Sequence, residues 1–227
     1  MRVLALDTAL GATSVAVVDY PSGTVLARAS LPMQRGHAEA LMPMIEQAMA
    51  GVEGGFGSLS RIGTTVGPGS FTGLRVAVSA ARSLGLALAI PVVGVSTLAA
   101  YAAPVIASGA RSMTAVAIDA RHGAVFFESF WLDGKKALGP LVLGLEQAAE
   151  TLRSGRCRLV GTGAPALHDH ARKLGLEADL IETGPAPDIL WVARLAAAAD
   201  PACAPARPLY LKAASAVPQG HGQIARA

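Results

Sequence analysis

Val66-Gly-Pro-Gly-Ser-Phe-Thr-Gly-Leu-Arg75 is the stretch on which the reading of this 227-residue chain turns. Two glycines and a proline separate an apolar run ending at Val66 from a helical pattern beginning near Thr72, with a third glycine, Gly73, directly after, which marks a strand-to-helix turn. Glycine tolerates φ > 0 and admits close approach of another backbone or a phosphate. Ser70 or Thr72 can cap the orphan N–H groups of the helix that follows. A helix start of this kind suits an anion or a neighbouring chain.

Working outward, three strands precede the turn: Val3 to Thr8, Thr13 to Tyr20 and Thr24 to Leu31, the last two joined by Pro21-Ser22-Gly23. A helix is predicted from about His37 to Ala50, with Leu41, Met44, Ile45, Ala48 and Met49 on one face and Pro43 bending it. Strand Arg61 to Val66, helix Thr72 to Ala89, strand Pro91 to Val95 and helix Thr97 to Ile106 complete the order βββαβαβα. The order then restarts. Met113 to Ala120, Ala124 to Leu132 and a short run near Leu141 to Leu143 read as strands. Helix Glu146 to Leu152, strand Arg158 to Gly161, helix Ala164 to Leu174, strand Asp179 to Glu182 and helix Ile189 to Ala198 follow. No sequence self-similarity marks the repeat; it is inferred from element order. The expected division is a first lobe of 1–107 joined by 200–213, a second lobe of 108–199, and a frayed tail of 214–227.

Composition narrows the classes. A hydrophobic content of 52% supplies a real core, yet no run approaches the roughly 18 to 20 apolar residues of a membrane span; Leu84 to Val95 is broken by Gly85, Pro91 and Gly94. The opening run meets Asp7 too early for a signal peptide, so a cytoplasmic protein with no membrane contact is expected. Cys157 and Cys203 have no ligand-like spacing. The net charge is only +3, and Arg153, Arg156 and Arg158 read as a solvated turn rather than a nucleic-acid groove. An aromatic content of 4% argues the same way, because single-strand binders need stacking platforms.

The helix after the glycine turn is apolar over more than one core-facing stripe, its polar residues Arg75, Ser79, Arg82 and Ser83 being confined to one arc. Gly73, Ala77 and Ala81 recur every four residues and permit close helix approach. Such a helix is either buried within the fold or covered by another chain. Met42, Met44 and Met49 offer an adaptable apolar neighbour.

Asp7-Thr-Ala, Thr13-Ser-Val-Ala-Val, His37-Ala-Glu-Ala-Leu-Met-Pro-Met-Ile, the glycine turn, Pro91-Val-Val-Gly-Val-Ser-Thr-Leu, Ile118-Asp-Ala-Arg121 and Pro208-Leu-Tyr-Leu211 together resemble the TsaB (YeaZ) family over most of the chain. The resemblance implies an α/β, two-lobed actin-like ATPase fold, that of sugar kinases, Hsp70 and actin, with an RNase H-like core. It also implies a part in adding threonylcarbamoyl to the adenosine beside the anticodon of tRNAs that read codons beginning with A. The partners implied are the catalytic subunit TsaD, the ATPase TsaE, a homodimer when TsaD is absent, and tRNA only through the complex. The related TsaD carries a His-x-x-x-His metal motif where this chain has Thr97 and Tyr101. Two histidines at i and i+4 share a helix face and a metal; a hydroxyl and a phenol replace them poorly. His168 and His170 fall on different faces.

The expectation is therefore a subunit with no catalytic residue, no metal and no required cofactor. Asp7, Thr8, Gly161 and Gly163 are the candidates for weak binding of ATP or ADP with Mg²⁺. The family implies that the two helices form a bundle with TsaD, which makes His37, Leu41, Met42, Ile45, Gly73, Leu74, Ala77, Ala80, Ala81 and Leu84 the candidate interface. A metal-dependent peptidase and a small-molecule kinase, the latter with Asp119 in the cleft, are the alternatives. Asp119 and Arg121 read more simply as a surface turn or ion pair.

Overall fold

The computed structural model describes residues 1–109 and 112–212, so the tail expected from 214 lies outside the described residues. The first half runs β1 (Arg2–Asp7), β2 (Ala12–Asp19), β3 (Thr24–Pro32), α1 (His37–Ala50), β4 (Arg61–Gly67), α2 (Phe71–Leu88), β5 (Val92–Ser96) and α3 (Thr97–Ala107). The second runs β6 (Met113–Asp119), β7 (Ala124–Phe130), β8 (Lys136–Gly144), α4 (Leu145–Glu150), β9 (Cys157–Val160), α5 (Ala164–Lys173), β10 (Ala178–Leu180) and α6 (Ile189–Ala198). The sheets order as β3-β2-β1-β4-β5 and β10-β9-β6-β7-β8. Read from its antiparallel end, the second reproduces the first, so the twofold βββαβαβα order corresponds to one topology used twice. β8 is nine residues long, where only 141–143 was expected. Gly139-Pro140 interrupts its pattern, and an edge strand tolerates that interruption.

Strand alternation assigns the faces. Leu4, Leu6, Val15 and Val17 point to one side of the first sheet, where they pack with Leu41, Ile45 and Met49 of α1 and with Ala77 and Ala81 of α2. Val3, Ala5, Ala16 and Val18 point to the other, against Ile189, Val192, Ala193 and Ala196 of α6. Burial on both faces explains why these strands read as continuous apolar runs. In the second sheet Ala115, Ala117, Val125 and Phe127 pack with α4 and α5. Val116, Ile118, Phe126 and Phe130 face Leu98, Tyr101 and Val105 of α3.

This corrects the expected lobes. The helix predicted to close the second lobe covers the first sheet, and most large side chains of α3, assigned to the first lobe, cover the second. Element order cannot say which sheet a helix will cover; only the complementary faces do. Arg61 at the start of β4 fixes the exchange, its Nη1 donating to the carbonyls of Ala196, Ala197 and Ala199 at 2.7, 2.9 and 2.7 Å. These are orphan acceptors of the end of α6. Arg61→Ala is expected to lower unfolding free energy by about 2 kcal/mol in urea titrations, and Arg61→Lys by less because an ammonium can still donate to the same carbonyls.

After α6 the chain returns along the first sheet. Gly94 N–H donates to Ala204 at 2.9 Å and Leu209 N–H to Val66 at 2.7 Å. Lys212 Nζ then reaches across to the carbonyl of Ala120 in the second lobe at 3.3 Å.

Candidate functional site

Between the two sheets lies a cleft of about 620 Å³, lined by the β1–β2 turn, the glycine turn, the β6–β7 turn and the returning C-terminal segment. Beneath its floor β1, β4 and α3 meet. Asp7 and Thr8 are completely buried there and do not line the cleft. Asp7 Oδ1 accepts from Ala9 N–H at 3.0 Å and from the Thr65 hydroxyl. Asp7 Oδ2 and Thr97 Oγ1 are buried without a hydrogen-bond partner. Burial pushes the Asp7 carboxyl up to about 6, against the lowering effect of its two bonds. Tyr101 donates its phenolic hydrogen to the Gly184 carbonyl at 3.2 Å, and burial first, then the Asp7 charge, raises its ionisation well above the usual phenol range. Thr97 and Tyr101, at the two positions singled out in the sequence, are thus buried groups beneath the cleft, Tyr101 touching instead a second cavity of about 530 Å³ beside Gly184 and Ile189.

The glycine turn does not open toward a phosphate. A Cβ on Gly69 would stand 2.4 Å from the Ala9 carbonyl oxygen, and one on Gly73 2.0 Å from that of Thr8. Ser70 N–H donates to Ala9 O at 2.7 Å, Thr8 Oγ1 donates to Gly73 O at 2.6 Å, and Ser70 Oγ caps α2 by accepting from Gly73 N–H. The close neighbour that the glycines admit is therefore the β1–β2 turn of the same chain. Gly161 and Gly163 tell the same story, since a Cβ would meet the Ala117 carbonyl at 2.5 Å and the Asp119 amide nitrogen at 3.0 Å respectively.

Five backbone N–H groups at or beside the cleft are consumed internally: Ala9 by Asp7, Gly11 by Pro185, Ser70 by Ala9, Arg121 by Asp119 and Gly163 by Ala117. A nucleotide phosphate held by these loops would find those donors taken. The four residues Asp7, Thr8, Gly161 and Gly163 do not fit a Mg²⁺–nucleotide clamp, and their sequence pattern is accounted for by packing. Asp119 and Arg121 form no ion pair; Asp119 Oδ1 accepts from the Arg121 amide at 2.8 Å in a turn where Arg121 and His122 both have positive φ. Among the described residues, no three His, Cys, Asp or Glu side chains gather as a metal would require.

What the cleft does expose lies at its mouth. Arg75 sets its guanidinium 3.7 Å over the Phe71 ring and donates from Nε to Tyr210 Oη at 3.0 Å. The two rings are 5.0 Å apart and tilted by 36°. Phe71 and Arg75 are i, i+4 on α2 and their contact was readable from that spacing; Tyr210 arrives through 135 residues of intervening chain and was not. His37 is half-buried at the cleft edge, bonded through Nδ1 to the Thr13 hydroxyl at 2.8 Å, and burial lowers its basicity.

The expected interface needs correction. Leu41, Ile45, Gly73, Leu74, Ala77 and Ala81 are buried in the chain's own core. The small-residue stripe lets α2 lie close to the first sheet, so a charge at Ala77 or Ala81 would break the core before reaching any docking partner. The outward faces of α1 and α2 carry Met42, 41% exposed, and Leu86, 86% exposed, with Ala80 and Leu84 half-buried. The arginines at 153, 156 and 158 bond to Glu150, Asp179 and Ser108, as a solvated turn would.

Two sheets of identical order around a cleft define an actin-like ATPase fold. A solved ROK hexokinase from Thermus thermophilus shares it at a TM-score of 0.50 and 18% identity, over 87% of this chain and 99% of that one. Much nearer is YeaZ from Pseudomonas aeruginosa, with a TM-score of 0.74 and 30% identity over 92% and 99%. The tRNA threonylcarbamoyladenosine biosynthesis protein TsaB of Escherichia coli is 32% identical over 182 residues, 78% of each chain. An uncharacterised protein of Mycobacterium tuberculosis strain H37Rv is 35% identical over 216 residues, 95% of this chain and 94% of that one. The family described as TsaD, tRNA N6-adenosine threonylcarbamoyltransferase, matches residues 25–153. The chain belongs to the TsaB (YeaZ) family. No helix among the described residues is long and apolar enough to cross a membrane.

Proposed function

We propose that this chain is a non-catalytic cytoplasmic subunit in the biosynthesis of threonylcarbamoyladenosine on tRNA, where it binds and stabilises TsaD and helps to recruit TsaE. The observation that carries the reading is the pair Thr97 and Tyr101. In the positions of the TsaD metal histidines they are buried, and Tyr101 is bonded to Gly184. Neither can ligate a metal in the manner of neutral imidazole at i and i+4. The internal use of the cleft amides weighs in the same direction, against a kinase that must grip a nucleotide's phosphates and against catalysis by this chain.

The docking surface proposed is the exposed face of α1 and α2, centred on Met42 and Leu86. The same face would form a homodimer when TsaD is absent. An exposed leucine contributes little to folding, so its removal separates docking from stability. Met42→Glu with Leu86→Glu is expected to weaken association with TsaD more than tenfold by calorimetry while leaving the urea midpoint unchanged. Threonylcarbamoyl transfer to tRNA should require TsaD together with this chain, and this chain alone should be inert. Transfer by this chain without TsaD, or full transfer by TsaD without this chain, would refute the subunit reading.

A further inference from the structure

The mouth of the cleft holds a second, unassigned set of groups. Phe71 and Tyr210 remain 40% and 44% exposed although an aromatic ring gains most from burial. They are held rigidly, Phe71 by the stacked Arg75 guanidinium and Tyr210 by the hydrogen bond from the same side chain. Across the cleft stand Arg121 and His122 on the β6–β7 turn and Lys212 on the returning segment. The cations lining the space are thus Arg121 and Lys212, the latter bonded to the Ala120 carbonyl, against the single carboxylate of Asp119, which the Arg121 amide already engages. Two rings that stay partly exposed although Arg75 already stacks on one of them, with Arg121 and Lys212 lining the same cleft, match a nucleotide unit whose base is unstacked and whose phosphate lies outside the base.

We propose that this mouth binds a nucleotide unit of single-stranded RNA, the base against Phe71 and Tyr210 and the phosphate toward Arg121 and Lys212. The choice of RNA over a free mononucleotide rests on the tRNA reading above; the chemistry is common to both. The site is separate from Asp7 and Thr8, which are buried and do not line the cleft. It also revises the inference drawn from low aromatic content, because few rings suffice when two are gathered at one cationic cleft.

The test uses the isolated full chain and a fluorescein-labelled single-stranded oligoadenylate, read by anisotropy over a salt series, so it is independent of any TsaD-dependent activity. Wild type is expected to bind. Phe71→Leu and Tyr210→Leu should each weaken binding on the order of tenfold at fixed salt without changing the salt slope. Tyr210→Phe, which keeps the ring, should restore it. Arg121→Asn with Lys212→Gln should flatten the log–log salt slope by about 0.7, the loss of one neutralised phosphate on a single strand. Failure of AMP to compete at equal nucleotide concentration would support the RNA strand, and full competition would overturn that source in favour of a mononucleotide. Absence of binding, equal binding of duplex RNA, or wild-type affinity in both leucine variants would overturn the site.

Discussion

Gly73→Ala is expected to unfold the chain or to cost more than about 3 kcal/mol, although Gly→Ala inside a helix ordinarily stabilises by about 0.5–1 kcal/mol. The position lies in the first turn of α2, where its missing side chain admits the Thr8 carbonyl; the added Cβ would stand 2.0 Å from that oxygen. Relief requires the β1–β2 turn to withdraw. That would break the bond from Thr8 Oγ1 to Gly73 O, which is made out of contact with water, and the bond from Ser70 N–H to Ala9 O. Ser79→Ala on the exposed arc of the same helix supplies the comparison and should stay within about 0.5 kcal/mol of wild type. Urea unfolding of the two variants decides the matter, and a Gly73→Ala chain as stable as wild type would show that the turn yields.

The same residue shows what the sequence made legible. Glycine spacing placed the strand-to-helix turn, and Ser70 as a cap was one of two readings that the structure resolves. The identity of the neighbour was not readable, because Thr8 lies 65 residues away and a glycine serves a phosphate or a carbonyl equally well. Apolar periodicity likewise marked α2 as over-buried but left open what covered it. Ala77 and Ala81 turn out to face Leu4, Leu6 and Ile62 in the chain's own core, while Leu86, Met42 and Phe71 stand well out of it. The twofold element order was recoverable, whereas the exchange of α3 and α6 between sheets depends on faces that meet only after folding. Tyr210 at the cleft mouth belongs to the same kind of long-range information.

Asp7 carries the second large effect, and its sign runs opposite to that of a salt-bridged carboxylate. Its folded value is about 6 against 3.8 for the unfolded group, so the native state holds the proton more tightly. The stabilisation is complete below about pH 4, is lost as pH rises through 6, and is constant beyond that. Two pKa units at about 1.4 kcal/mol each correspond to about 3 kcal/mol, a figure that applies because the group is wholly buried. Asp7→Asn removes the ionisation while its carbonyl oxygen can still accept from Ala9 N–H and Thr65. The unpartnered Thr97 Oγ1, another buried group of the same floor, is an available acceptor type for a new amide. At pH 8 the Asn chain is expected to be more stable than wild type by up to about 3 kcal/mol, and at pH 4 by none. Urea titrations of both chains at the two pH values measure the difference directly, and every other titrating group cancels between them. A gap that is the same at pH 4 and pH 8 would mean that Asp7 is not held protonated by its burial. In that case the floor of the cleft would be wetter, or closer to a cation, than its geometry indicates.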